Sequence, residues 1–353
     1  DPDCGRRRFA IIQAEDELSA IGVVIGAGWN GARSFTATSG PGVSLMTEFL
    51  GLAYFAEIPA VLIDVQRSGP STGMPTRTQQ GDLLSSAYAS HGDTKHVLLF
   101  PSTPKECFDF TADAFDLADR LQTPIILMTD LELGMNDNLS EPLEWDDSRA
   151  YDRGKVLDAE DLEKVERFGR YLDVDGDGIG YRTLPGAHPE KGAFFTRGTS
   201  RDEYAAYTES PEAYEQNMQR LLKKWQTAAT LLPKAEIHST GQRAGILYYG
   251  TSALPMQEAL DLLAEEGIHL DTLRVRGFPF GEEVYDFIDK HDFVFVVDQN
   301  RDGQMKTLLV TEGEMDPAKL ISVLYYAGLS ISADTIQTQV SEYFTAQKLP
   351  RLT

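Results

Sequence analysis

Short apolar runs of strand length alternate with longer helix-like segments along the first 135 residues of the chain. The strand-like runs are residues 9–12, 33–37, 60–65, 96–100 and 124–129. The helix-like segments are residues 17–30, 42–56, 78–89 and 104–121. Because parallel strands are joined by crossover helices, this alternation predicts a parallel sheet with helices on both of its faces.

The pattern loosens between residues 136 and 241 and then returns. The looser stretch has many turn residues, an acidic run at 141–147 and one predicted helix at 211–230. Long irregular stretches in folded proteins are usually functional or form interfaces, so we expect this one to contact a partner or to join two domains. Beyond it, the pattern predicts strands at 245–249, 269–274 and 293–298 and helices at 255–266, 282–290, 302–311 and 317–326.

The residues that follow the strand-like runs are candidates for function, because ligands of open parallel sheets bind beyond the carboxyl ends of the strands. These residues include the acids Glu15, Asp16 and Glu17, the turn formed by Thr38, Ser39, Gly40, Pro41 and Gly42, and the segment 66–73. Acids at this position are also a common helix start signal, and the turn is also ordinary punctuation between a strand and a helix. The residue types alone leave both alternatives open.

Two charged or titratable side chains in this group could act on a substrate. Arg67 is either a surface arginine or a guanidinium fork that binds a carboxylate through two hydrogen bonds. His91 lies in a His-Gly-Asp sequence just before the run at 96–100, and it is either an acid–base group or an ordinary polar residue.

The composition narrows the class of protein. The 353 residues carry a formal charge of −23, which makes nucleic acid and anionic membranes unsuitable partners. The two cysteines, Cys4 and Cys107, are too few for an iron–sulfur cluster, which usually takes four thiolates. No apolar stretch approaches the roughly 18 residues of a membrane span, and the basic residues 6–8 are not followed by a secretory apolar region, so a cytoplasmic location is expected.

Four sequences in the chain carry a family resemblance. QAEDELSAIG, TATSGPGVSLMTE, IPAVLIDVQRSGPSTGMPT and HGD resemble the alpha subunit of 2-oxoacid:ferredoxin oxidoreductases, and the 2-oxoglutarate enzyme in particular. The resemblance implies an α/β fold with two doubly wound parallel-sheet domains. They are expected to be a thiamine diphosphate pyrimidine-binding domain at 1–136 and a transketolase C-terminal-like domain at 242–353, joined by an irregular linker at 137–241 with one helix.

The resemblance also implies roles for particular residues. Glu17 is expected to be catalytic, because its carboxyl shares a proton with the aminopyrimidine ring of thiamine diphosphate. The cofactor-binding residues implied are Glu17, Thr38, Ser39 and Gly40, and the substrate-binding residues implied are Arg67, Thr72 and His91.

Residues 173–178 imitate two ligand-binding motifs without completing either. The run begins like a calcium loop, but its twelfth position is Leu184, where a bidentate glutamate is needed. Gly176-Asp177-Gly178 also imitates the start of the diphosphate motif of thiamine enzymes, which requires an asparagine 25–30 residues later, and the next asparagine is Asn217. We therefore expect a structural loop here and no metal site on this chain.

The resemblance implies that the chain supplies half of an active site. A beta subunit is expected to bring the diphosphate and Mg²⁺ sites and the [4Fe-4S] cluster, with ferredoxin and coenzyme A as further partners. The expected reaction is oxidative decarboxylation of 2-oxoglutarate to succinyl-CoA, or its reverse. Pyruvate, branched-chain and aryl 2-oxoacids remain alternatives, as does a noncatalytic scaffold subunit. The family's preceding segment, with its Tyr-Pro-Ile-Thr-Pro motif, is not in this sequence, so a fragment of a longer subunit is a further expectation.

Overall fold

The computed structural model describes residues 9–351, so Cys4 and the basic residues 6–8 lie outside the described part of the chain. The first part of the chain alternates helices and strands, as predicted. Its elements are α1 (Glu17–Trp29), β1 (Phe35–Thr38), α2 (Gly40–Ala56), β2 (Ala60–Gln66), α3 (Leu83–Ala87), β3 (Val97–Leu99), α4 (Pro104–Leu121), β4 (Pro124–Asp130) and α5 (Leu131–Met135).

The rest of the chain contains two helices, a short edge strand and then a second alternating region. Its elements are α6 (Ala159–Lys164), α7 (Pro211–Leu231), β5 (Glu236–His238), β6 (Ala244–Tyr249), a 3₁₀ turn (Gly250–Ala253), α8 (Met256–Glu265), β7 (Asp271–Val275), β8 (Gly277–Phe278), α9 (Glu282–Lys290), β9 (Phe293–Asp298), α10 (Gln304–Gly313), β10 (Leu320–Leu324) and α11 (Ala333–Ala346).

The strands form two five-stranded sheets. Their orders are β1-β2-β4-β3-β8 and β10-β9-β6-β7-β5. Most pairs are parallel, which confirms the predicted fold class, but β8 and β5 each pair antiparallel with a neighbour. Because β8 belongs to the C-terminal part of the chain and pairs with β3, the two halves share a sheet as well as an apolar core.

Two predicted elements are wrong. Residues 9–12 form no strand, and Phe9, Ile11 and Ile12 are exposed. Within the described chain β1 pairs only with β2, so residues 9–12 do not extend the sheet beyond β1. The predicted helix at 317–326 is instead β10, which pairs parallel with β9 from Leu320 to Leu324. Its short apolar sequence is compatible with either structure, and the open edge of β9 selects the strand.

The segment predicted as a linker packs closely against the first sheet. Ile179 and residues of α7 join the apolar cluster that covers β2, β3 and α4. Arg182 donates to Asp119 of α4 at 2.7 Å, and Arg220 and Lys224 of α7 bind the buried carboxylate of Glu57. The segment contains α6 as well as the predicted helix α7, and it is part of the first α/β layer in addition to joining the halves.

The acidic glycine-rich run at 173–178 lies under α7. A Cβ on Gly178 would come within 2.3 Å of the backbone nitrogen of Lys224, and the φ of Gly178 is +81°. The carboxylate of Asp173 accepts hydrogen bonds from the amides of Gly176 and Gly178, and Lys155 binds Asp175 and Asp177. The polar groups of this loop are therefore directed to the chain itself.

Among residues 9–351, no helix is both long enough and apolar enough to cross a lipid bilayer.

Candidate functional site

Glu17 is the first residue of α1 and lies beside the end of β1. Asp16 caps the helix by accepting a hydrogen bond from the amide of Ser19 at 2.8 Å, so capping does not occupy Glu17. A Cβ built on Gly42 would lie 3.0 Å from Cγ of Glu17 and 1.9 Å from Oγ1 of Thr38. Only glycine fits at position 42, and its absence of a side chain brings Glu17 and Thr38 together.

The carboxylate of Glu17 remains available to a ligand. It is partly exposed, and it makes no hydrogen bond or ion pair with any other residue in the range 9–351. Ser39, the N-cap of α2, likewise makes no capping hydrogen bond through its side chain. The predicted site residues Glu17, Thr38 and Ser39 therefore form a contiguous group at the carboxyl end of β1.

The N-terminus of α2 is occupied by a carboxylate of the chain itself. Burial raises the pKa of the Asp82 carboxyl to about 6, while the adjacent Gly40 amide and Arg67 act in the opposite direction. A Cβ on Gly40 would lie 2.4 Å from Oδ1 of Asp82, so glycine is needed for this close approach. Gly40 is thus in close contact with Asp82, and the cofactor contact implied for it stays a prediction.

Arg67 follows β2 and lines a cleft of about 620 Å³. Its Nε is buried and has no hydrogen-bond partner within the described chain. The N-terminal part of α2 forms one wall of the cleft, and the loop after β9 forms another. The lining residues are Gly40, Pro41, Ser44, Arg67, Gly69, Pro70, Ser71, Gln79, Gly81, Asp82, Ser85, Asn300, Arg301, Asp302, Gln304 and Tyr326.

The loop after β9 fixes the segment that carries Asp82. Asn300 donates to the carbonyl of Gln80 at 3.0 Å, and Gln304 donates to the carbonyl of Gly81 at 2.7 Å. Gln304 also accepts from the amide of Leu84 at 3.0 Å. The C-terminal half therefore shapes the cleft.

A buried polar network supports the same segment from below. The side-chain amide of Gln80 donates to Asp130 at 3.0 Å and to Thr251 at 3.1 Å, and Thr251 also donates to Asp130. Burial raises the pKa of Asp130, although these hydrogen bonds act in the opposite direction. The network joins the carboxyl end of β4 to the turn after β6 and holds the two sheets in one orientation.

Thr72 and His91, the other predicted substrate residues, do not join this group. Thr72 is exposed in the loop after Arg67 and is not among the residues that line the cleft. His91 is exposed beside Ser90, whose Oγ lies against Gly51 in the middle of α2. Gly51 is about 16 Å along the helix from Gly40, because a helix rises about 1.5 Å per residue. The structure therefore places His91 away from Arg67 and Glu17.

Two acids beside the cleft were missed by the sequence analysis. Asp64 is fully buried on β2, and neither of its carboxyl oxygens has a hydrogen-bond partner in the described chain. Asp82 precedes α3 and lies at the cleft. The signal for Asp64 was present in the sequence Ala-Val-Leu-Ile-Asp-Val-Gln, because burying a charged group in an apolar strand is costly unless the group is paired. Asp82 carried no comparable signal.

Comparison with known proteins gives a consistent result. A family model described as pyruvate flavodoxin/ferredoxin oxidoreductase, thiamine diphosphate-binding, matches residues 3–224. The chain is 36% identical over 315 residues to 2-oxoacid:ferredoxin oxidoreductase 2, subunit alpha, of Aeropyrum pernix, covering 87% of this chain and 48% of that protein. It is 32% identical over 275 residues to the 2-oxoglutarate synthase subunit KorA of Methanocaldococcus jannaschii, covering 77% of this chain and 71% of that protein.

Solved structures agree with the fold. The 2-oxoglutarate:ferredoxin oxidoreductase of Magnetococcus marinus, solved with 2-oxoglutarate, coenzyme A and succinyl-CoA bound, superposes with a TM-score of 0.85 at 29% identity. The match covers 97% of this chain and 58% of that one. An inactive split-gene transketolase, with a TM-score of 0.51 and 11% identity over 93% of this chain and 81% of its own, shares the fold alone.

The length of the match differs among these relatives. The chain spans about half the length of the Aeropyrum subunit and of a Saccharolobus solfataricus alpha subunit, at 48% and 51%. The family model, however, covers well over half of this chain. The chain belongs to the pyruvate flavodoxin/ferredoxin oxidoreductase family and contains its thiamine diphosphate-binding region.

Proposed function

We propose that this chain supplies the pyrimidine-binding half of a thiamine diphosphate site in a 2-oxoacid:ferredoxin oxidoreductase. The observation that carries the proposal is the uncommitted Glu17 carboxylate, packed beside Thr38 at the carboxyl edge of the first sheet. The preferred substrate is 2-oxoglutarate, converted to succinyl-CoA or formed by the reverse reaction. Relatives named 2-oxoglutarate synthase, and a similar structure with 2-oxoglutarate and coenzyme A bound, support this choice.

The residues present fit thiamine diphosphate. Glu17 offers a free carboxyl at a helix start, and Gly42 keeps the space between Glu17 and Thr38 narrow. In the proposal Glu17 shares a proton with a nitrogen of the aminopyrimidine ring, while Thr38, Ser39 and the Gly40 turn contact the cofactor. When bound, thiamine diphosphate supplies the nucleophilic carbon and the electron sink for decarboxylation.

Arg67 is the proposed substrate contact on this chain. Every 2-oxoacid carries a carboxylate, and the guanidinium at the cleft makes no hydrogen bond or ion pair with another residue in the range 9–351. Losing a charged hydrogen bond to a substrate costs about 1.5–3 kcal/mol, which is a factor of roughly 10 to 100 in catalytic efficiency. Thr72 and His91 keep no role in the proposal, because they lie outside the cleft.

The other half of the site is assigned to a partner. The proposal gives the diphosphate ligands, Mg²⁺ and the [4Fe-4S] cluster to a beta subunit, with ferredoxin accepting electrons in a cytoplasmic complex. The chain's two cysteines support this division, because a cluster usually takes four. In this division, 1–136 is the pyrimidine-binding domain, 137–241 packs against it, and 242–353 is the transketolase C-terminal-like domain that closes the cleft.

The test is Glu17→Gln in the complex of this chain with its co-purified partner. The variant should assemble normally and bind the cofactor, but 2-oxoglutarate oxidation should fall by far more than tenfold, because an amide cannot share the ring proton. Glu15→Gln is the matched control, since Glu15 is an exposed acid two residues earlier. Activity of Glu17→Gln at a tenth or more of the wild-type value would refute the assignment.

A further inference from the structure

Asp64 and Asp82 form an unusual pair beneath the N-terminus of α2. Asp64 is fully buried, and in the parallel register it lies opposite Thr38 of β1. On β2 it shares one face with Leu62 and Gln66, because side chains alternate along a strand. Gln66 accepts a hydrogen bond from the amide of Asp82 at 3.1 Å. Asp82 is thus held near the Asp64 face of β2 by its hydrogen bond to Gln66, and its carboxylate lies against Gly40.

When both are ionised, the carboxyl groups of Asp64 and Asp82 have no hydrogen-bond donor between them. Both carboxyl oxygens of Asp64 and Oδ2 of Asp82 are buried without a partner in the described chain. Two ionised carboxylates offer only acceptors, so they cannot satisfy one another. If one of them is protonated, it supplies a donor and the other accepts, as in carboxyl pairs that share one proton.

The surrounding charges decide which carboxyl holds the proton. Arg67 lines the same cleft as Asp82, and Asp82 lies against the Gly40 turn at the start of α2, so two groups favour its negative charge. Glu17 at the start of α1 and Asp130 at the end of β4 are acids, and the loop after β9 adds Arg301 and Asp302 to the cleft that Asp82 lines. Burial and then repulsion by Asp82 raise the pKa of Asp64 well above its usual range, and burial raises that of Asp82 to about 6.

We propose that Asp64 is a protonated positioning residue whose carboxyl donates a hydrogen bond to Asp82 and thereby holds the N-terminus of α2 beside Glu17. The link runs from Asp64 to Asp82, from Asp82 to Gly40 through their close contact, and along the turn to Gly42, which contacts Glu17 and Thr38. Because the proton stays on Asp64, Asp82 keeps its single negative charge near Arg67. The positioning of Glu17 for catalysis rests on the proposed function, whereas the protonation of Asp64 does not.

Infrared spectroscopy of the full chain tests the protonation directly. In a difference spectrum between wild type and Asp64→Asn at pH 7.5, we expect a protonated carboxyl band that shifts in D₂O. An ionised carboxylate band in its place would overturn the proposal. If Asp64→Asn does not fold, Asp82→Asn replaces it, and the Asp64 acid band must then move because its acceptor changes from a carboxylate to an amide. An unmoved band would also overturn the proposal.

Urea unfolding gives an independent measurement. Because the pKa of Asp64 is raised in the folded state, the folded chain keeps a proton that the unfolded chain releases above about pH 4. The contribution of Asp64 to the free energy of unfolding therefore falls as pH rises. The ratio of unfolding constants, wild type over Asp64→Asn, should rise about tenfold per pH unit, or about 100-fold from pH 5 to pH 7. A constant ratio would overturn the proposal.

Kinetics of the assembled complex then test the positioning. Asp64→Asn keeps a donor for Asp82 and should retain kcat within about twofold, whereas Asp64→Ala removes the donor and should lower kcat at least tenfold. Equal loss in both variants, or no loss in either, would overturn the positioning role. Because the infrared and unfolding results need no activity, they stand even if the proposed reaction is wrong.

Discussion

Replacing Glu57 by glutamine should destabilise the fold severely. Glu57 ends α2, is fully buried, and accepts hydrogen bonds from Arg220 at 3.0 Å and from Lys224 at 2.9 Å. A second guanidinium nitrogen of Arg220 binds its other oxygen, and Arg201 lies 3.7 Å away. Arg170 donates to the main-chain carbonyl of Glu57 at 2.8 Å. One carboxylate therefore balances several buried cations.

The magnitude follows from the number of cations left without a partner. Although burial opposes ionisation, attraction to Arg220 and Lys224 lowers the pKa of Glu57 well below its usual range. A glutamine has the same shape but no charge, so the buried guanidinium and ammonium groups would lose their counter-ion. Breaking a buried ion pair by removing one partner typically costs about 3–5 kcal/mol. We expect Glu57→Gln to fall in that range, and α7 to detach first.

Urea unfolding of the full chain at pH 7 measures this cost, and Glu48→Gln is the matched control. Glu48 is an exposed acid of the same helix, so its replacement should change the free energy of unfolding by less than about 0.5 kcal/mol. A loss below about 1 kcal/mol for Glu57→Gln would refute the reasoning. It would mean that the cations near Glu57 are solvated or are neutralised by another group.

Two further predictions concern single side chains. Arg67→Ala should lower kcat/KM for 2-oxoglutarate, pyruvate and 2-oxobutyrate alike, by roughly 10- to 100-fold. Arg67→Lys should recover only part of this loss, because lysine keeps the charge but not the guanidinium fork. If steady-state kinetics show a loss for 2-oxoglutarate alone, Arg67 contacts the distal carboxylate of that substrate instead. Burial lowers the pKa of His96 to about 4, although its hydrogen bond to the carbonyl of Ala89 opposes this, so the folded chain excludes a proton that the unfolded chain binds. The stability of the folded chain should therefore fall as pH drops from about 6.5 to 4. Thermal unfolding of His96→Gln across that range should show a weaker dependence of stability on pH. An unchanged dependence would contradict the burial argument.

The sequence predicted most regular elements well because their apolar patterns are strong and local. The helix predicted at 104–121 and the strand predicted at 293–298 have the observed bounds of α4 and β9. The helix predicted at 78–89 shortens to α3, because residues before it are held by hydrogen bonds to the loop after β9. Such a contact joins residues about 220 positions apart, and no local pattern records it.

The candidate site was predictable only in part for a related reason. Family motifs pointed to Glu17, Thr38 and Ser39, which the structure places together, and to Arg67 at the neighbouring cleft. They also pointed to His91, which lies beside the second half of α2, away from its N-terminus. Position relative to a strand predicts only the edge of the sheet. The direction of each loop is set by packing that becomes visible only in three dimensions.

The glycine-rich turn at the start of α2 lies against a carboxylate of the chain itself. A helix N-terminus is ordinarily suited to a phosphate, because its free amides and its dipole attract negative charge. Here the Asp82 carboxylate already lies against Gly40, and a diphosphate at the same place would be repelled by it. The glycines instead allow two close approaches, of Asp82 to Gly40 and of Glu17 and Thr38 to Gly42. This arrangement supports the proposed division, in which the turn positions Glu17 and another polypeptide binds the diphosphate.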